Sequence, residues 1–253
     1  MANPVLTKQF GEPAASDAAL QTAPPPATTA TGEKRMTIGS VAAATFFLLL
    51  LVVAGAAYGW ANAVAVQRWY WLFIIALLVL VFATVARPRL APITGIVYSL
   101  GQGALVGSIS KIYETFYEGI VFLALTATVA VFVGALLLYV FRIIKVTQKT
   151  RSVIIIATVG IGLFYLATLL LSIFGVNVPL VTGVGTGALV FSIFVVIVAA
   201  LNLLLDFSVI EHGIATGAPR AFSWFAAFGL MVTIIWLYIE ILRLLAIVFA
   251  RRG

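Results

Sequence analysis

The stretch WFAAFGLMVTIIWLYIEILRLL (Trp224–Leu245) runs sixteen residues before its first charge, Glu240, and meets Arg243 three residues later. At about 1.5 Å per residue it is long enough to cross the hydrocarbon of a bilayer as a helix. ALNLLLDFSVIEHG (Ala200–Gly213) has the same character, with Asp206 near the end of a long apolar run. Charges in such runs persist where they pair or face a cavity, because exposing them to hydrocarbon costs several kcal/mol or more. These two stretches put the chain in a membrane and single out Asp206, Glu240 and Arg243.

The rest of the chain agrees. Of its 253 residues, 63% are hydrophobic and 9% charged, and the mean hydropathy is +1.19. A soluble domain needs far more polar surface. There is no cysteine, which excludes disulfides, thiol catalysis and thiolate metal sites. A single histidine argues against a zinc site built on several. The net charge of +7 is spread as bases flanking apolar segments, the pattern of membrane topology rather than of nucleic-acid binding.

Residues 1–31 are rich in Ala, Pro and Thr and cannot bury enough apolar surface to offset ordering entropy. The reading is a disordered cytoplasmic tail over 1–35 and a seven-helix transmembrane domain over 36–253. The expected spans are Ile38–Trp60, Trp69–Ala86, Ile93–Ile112, Gly119–Phe141, Ser152–Phe174, Gly187–Ile210 and Trp224–Phe249. The third carries Gly101, Gln102, Gly103, Gly107, Ser108 and Ser110 and is expected to be short or irregular. Its Gly103 and Gly107 form a small-xxx-small pair that allows close helix approach. With the N-terminus inside, ten Lys and Arg fall on the cytoplasmic side and four on the outer side, with Arg243 within the membrane. Tyr58, Trp60, Trp69, Tyr70 and Trp71 gather at one interface.

Each polar residue carries two readings. Asp206 is a cation ligand or proton-titrating gate, or else an interfacial carboxylate reached by headgroup water. Asn202, four residues earlier, and Thr233 offer neutral oxygens near it. Glu240 and Arg243 are a latch whose partner changes with state, or a self-neutralising pair that lets an apolar helix insert. Glu114 and Glu118, in KIYETFYEG (Lys111–Gly119), form an outer acidic rim that concentrates cations, or are merely solvated. Glu211 and His212 read as solvated loop residues. Gly183, Gly185 and Gly187 read as an outer turn, since no strand precedes them. G-x-S-x-G, H-E-x-x-H and a Ser/His/Asp set are all missing, so no enzyme is expected.

YEGIVFLALTATVAVF (Tyr117–Phe132), ALNLLLDFSVIEHG (Ala200–Gly213) and Trp224–Leu245 together resemble the Bax inhibitor family, also called the transmembrane Bax inhibitor motif family. The likeness runs from about Met36 to Leu245 and is closest to the bacterial branch with a long polar N-terminus. It implies an all-α bundle of seven transmembrane helices with the last one central, in the bacterial inner membrane. It also implies a pH-sensitive calcium leak, in which an acid ending the sixth helix pairs with an acid in the seventh. Asp206 matches the first acid. Ten residues before Arg243, which matches the family arginine, the second acid falls on Thr233. The second span also lacks the acid that the family's latch offers to that arginine. Glu240 then stands as the substitute partner of Arg243.

The expected function is a cation leak gated by protonation of Asp206, with calcium or protons and the lipid bilayer as partners. No cofactor is expected beyond transient Ca2+, held at Asp206. The alternative is a non-conducting membrane partner that restrains another complex, such as a quality-control protease.

Overall fold

A computed structural model describes residues 35–144 and 146–252. Of the expected tail over residues 1–35, all but Arg35 lies outside them. Among the described residues there are nine α-helices and no strand. They are α1 (Ile38–Ala61), α2 (Ala63–Arg68), α3 (Tyr70–Ala86), α4 (Ala91–Phe116), α5 (Ile120–Val140), α6 (Gln148–Ile173), α7 (Pro179–Thr182), α8 (Thr186–Ala215) and α9 (Phe222–Ala250). A 3-10 turn at Pro88–Leu90 leads into α4. Six of the helices are long and apolar enough to cross a membrane: α1, α4 with its preceding turn, α5, α6, α8 and α9. The second expected span corresponds to α3, a shorter apolar helix of 17 residues.

Local chemistry sets the helix ends. Thr37 opens α1 with a capping box: its hydroxyl accepts from Ser40 N at 3.1 Å, and Ser40 Oγ accepts from Thr37 N at 2.9 Å. Ser40 Oγ also lies 2.7 Å from Ser223 Oγ, which ties the start of α1 to the start of α9. Met36 N donates to Ala218 O at 2.8 Å, so the segment before α1 is fastened to the α8–α9 connection.

The third expected span is neither short nor irregular. It is a continuous helix of 26 residues. Most of its small and polar residues are directed inward: Ser99, Gly103, Gly107, Ser108 and Ser110 are buried, and Gly101 and Gln102 are half-buried. A Cβ on Gly103 would collide with the backbone of Val52, and one on Gly107 with that of Ala56. The partner surface on α1 is built the same way, since a Cβ on Gly55 would meet Leu100 and one on Gly59 would meet Ala104. Gly55–Gly59 and Gly103–Gly107 are thus two small-xxx-small pairs laid against each other, and the backbones approach as closely as glycine permits. The glycine content that weakened the third span as a sequence signal is what lets it pack.

At the centre is α9, which packs on α1, α4, α5 and α8. Buried residues occur all around it, among them Ala227, Met231, Leu237 and Leu242. Ser110 Oγ and Tyr238 Oη, 2.7 Å apart, fasten α4 to it. At the periphery α6 packs chiefly on α8. The sixth span continues past its expected end at Ile210 to Ala215, so Glu211 and His212 are helical, not loop residues as the sequence had them.

Candidate functional site

Two polar clusters lie along α9 at different depths. Thr233 and Glu240 are seven residues apart on that helix, about 10 Å along its axis.

The first cluster is Asp206. It projects from α8 toward α9, where its Oδ1 comes within 3.8 Å of the position a Cβ would occupy on Gly229. Thr233 lies beside the carboxylate. The Thr233 hydroxyl donates to Gly229 O at 3.2 Å, one turn back along α9. Asp206 Oδ2 is buried without a hydrogen-bond partner. No cation pairs with Asp206 among the described residues. Thr233 is the position where the resemblance implies a second acid, so α8 and α9 bring the two positions together with one carboxylate between them.

Asn202 is on the same helix, yet its hydrogen bonds lead away from this cluster. Its Nδ2 donates to Thr158 Oγ1 at 2.7 Å and to Val198 O at 2.9 Å. Asn202 therefore ties α8 to α6, while Asp206 faces α9. Among the described residues no group of three or more His, Cys, Asp or Glu could hold a metal ion. A cation at Asp206 would find one carboxylate and the Thr233 oxygen.

The second cluster is the Glu240–Arg243 pair. Glu240 is 3% exposed. Arg243 Nη2 lies 3.1 Å from Glu240 Oε2, as the i,i+3 spacing on a helix allows. The two groups are not aligned as a hydrogen bond, and Arg243 Nε, Nη1 and Nη2 and Glu240 Oε2 have no hydrogen-bond partner. Distance and charge therefore define the pair, and aromatic faces complete it. Arg243 Cζ lies 5.6 Å from the Tyr165 ring centroid and 5.4 Å from that of Phe191. Tyr165 Oη donates to Glu240 Oε1 at 2.7 Å. One helix supplies the ion pair and two others, α6 and α8, close over it. Neither Tyr165 nor Phe191 was singled out from the sequence, where an aromatic residue in an apolar run carries no sign of what it covers. Buried Ile161, Val195 and Val198 form an apolar cluster against which Tyr165, Phe191 and Trp236 pack.

The expected acidic rim divides. Glu114 accepts from Gly119 N at 2.7 Å and from Val121 N at 3.0 Å. It thereby satisfies the first amides of α5, where a carboxylate also suits the helix dipole. Gly119 adopts φ 80°, the left-handed conformation that turns the chain from α4 into α5. Glu118 is exposed. Nearby, Lys111 Nζ lies 5.0 Å from the Trp60 ring centroid, joining the ends of α4 and α1. At the opposite end of the bundle, Glu211 accepts from Tyr139 Oη and from Arg142 Nη2, the latter at 3.4 Å.

The family model described as Bax inhibitor 1 like matches residues 3–250, nearly the whole chain. No curated protein matches the chain.

Proposed function

The chain belongs to the Bax inhibitor 1 like family, and from that premise we propose that it is a pH-gated cation leak, with calcium as cargo and Asp206 as the gate. One observation carries the reading: Asp206 meets the central helix with an unpartnered oxygen and, among the described residues, no cation beside it. The other intramembrane acid, Glu240, is already matched by Arg243 and Tyr165. A proton or a passing cation is the remaining way to balance a carboxylate at that depth. Protonation would turn Asp206 from acceptor to donor and alter its contact with α9 at Gly229 and Thr233.

In this proposal the protein carries out no catalysis. It has seven spans, with α3 as the seventh crossing helix. Its 17 residues cover about 26 Å, at the short end of what crosses hydrocarbon. The N-terminus is cytoplasmic, and the membrane is the bacterial inner membrane. The Glu240–Arg243 pair is the outer latch, about 10 Å from the gate along α9.

The test is calcium entry into dye-loaded liposomes holding the purified protein, measured across the neutral pH range beside Asp206→Asn. The expected result is protein-dependent flux that varies with pH in the parent and is insensitive to pH in the variant. An identical pH profile in both removes Asp206 from the gate. No flux at any pH removes the leak and leaves the second reading, a non-conducting partner of another membrane complex.

A further inference from the structure

A cleft of about 940 Å³ lies between α1, α5, α8 and the connection after α5. It is at the upper end of the range of about 300–1,000 Å³ typical of small-molecule sites. Along α1 it extends from Ile38 to Leu49, about 16 Å, close to the half-thickness of about 15 Å of a bilayer's hydrocarbon. Its lining includes Ile38, Phe46 and Val140, all exposed, so it is open toward the lipid side.

Three features grade along its depth. At the mouth is Arg142, whose side chain is 79% exposed and touches one carboxylate oxygen of Glu211 at 3.4 Å. Most of the five donors of that guanidinium are therefore free. Arg142 opens the sequence RIIKVTQKTR (Arg142–Arg151), which holds four bases and no acid. About 10 Å from Ile38 along α1 is Thr45, 7% exposed, whose buried hydroxyl has no hydrogen-bond partner. Beyond it the walls are hydrocarbon, with Leu49, Phe132 and Leu230 at the far end.

We infer that this cleft is a binding site for an anionic phospholipid, with its phosphate at Arg142, its ester oxygens at the level of Thr45 and its acyl chain against Leu49 and Leu230. The order of base, hydroxyl and hydrocarbon matches the order of groups along such a lipid. A groove open at bilayer depth is supplied with acyl chains by its own solvent. Basic residues at the cytoplasmic surface select the anionic headgroup. The Ala-, Pro- and Thr-rich tail has no apolar run to fill such a groove. Arg142 and Thr45 take no part in either cluster along α9, while Phe207 and Leu230, at the inner end of the cleft, adjoin Asp206 and Gly229.

The chain has no native cysteine, so Ala42→Cys, an exposed residue lining the cleft, can carry a single fluorophore. The full-length labelled protein is placed in phosphatidylcholine vesicles in which a minor fraction is brominated phosphatidylglycerol or brominated phosphatidylcholine. Brominated phosphatidylglycerol is expected to quench at a lower mole fraction. Arg142→Ala is expected to raise the fraction needed about fivefold, and Arg142→Lys to keep it near the parent value. A label at Leu163, exposed on α6, is expected to show no preference. Equal quenching by the two lipids at Ala42, or indifference to Arg142→Ala, overturns the proposal. Absence of quenching by either lipid overturns it too.

Discussion

The Tyr165 hydroxyl lies 2.7 Å from Glu240 Oε1 and joins peripheral helix α6 to central helix α9 where Arg243 is enclosed. Hydrogen bonds to charged groups contribute about 1.5–3 kcal/mol, and a buried acceptor left without its donor bears the desolvation cost in full. Tyr165→Phe keeps the ring over Arg243 and removes only the donor. The expected result is a lower Tm of the detergent-solubilised protein, with the same helical content. An unchanged Tm means that the bond does not hold α6.

The ion pair itself makes a sharper forecast. Removing one partner of a buried pair costs about 3–5 kcal/mol, because the other charge is stranded, whereas replacing both by apolar groups is often neutral. Arg243→Met is therefore expected to destabilise strongly, and the double variant Glu240→Leu with Arg243→Met to recover most of the loss. Thermal unfolding of the single and double variants measures this. Equal losses in both would mean that the pair is worth its contacts and not its charge balance.

Helix α1 and helix α4 meet glycine against backbone. Gly107→Ala forces a Cβ into Ala56 and is expected to cost about 1–3 kcal/mol or more. Gly134→Ala, on α5 with no atom within 4 Å of its would-be Cβ, is expected to gain up to about 1 kcal/mol from helix propensity. Opposite shifts in Tm are the signature, and shifts of the same sign count against the packing described.

Glu114 and Glu118 differ in role although the sequence offers them as a pair. Glu114→Ala uncaps α5 and is expected to cost about 1–2 kcal/mol. Glu118→Ala is expected to stay within about 0.5 kcal/mol. If both variants are neutral in thermal unfolding, the cap contributes little.

The proposed seven crossings would place the two chain ends on opposite sides. Arg252→Cys is expected to react with an impermeant thiol reagent in intact cells, and Thr150→Cys only after permeabilisation. Arg252→Cys that also needs permeabilisation would mean an even number of crossings, with α3 the first to be removed.

The sequence by itself determined the class of protein and the location of nearly every long helix. Apolar runs of spanning length admit few other structures in lipid, where each backbone amide must be paired within its own segment. The Glu240–Arg243 pair was legible too, because i,i+3 spacing on a helix is a local property. What lies between helices was not. Tertiary structure decided that Gly55 and Gly59 meet the backbone of α4 and Gly103 and Gly107 that of α1, that Tyr165 and Phe191 close over Arg243, and that Glu114 caps α5. It also turned Asn202 toward Thr158 and left Asp206 facing Thr233. The physical reason is that a helix fixes which residues share its face, while the rotation and depth at which two helices meet are set by packing along their whole length.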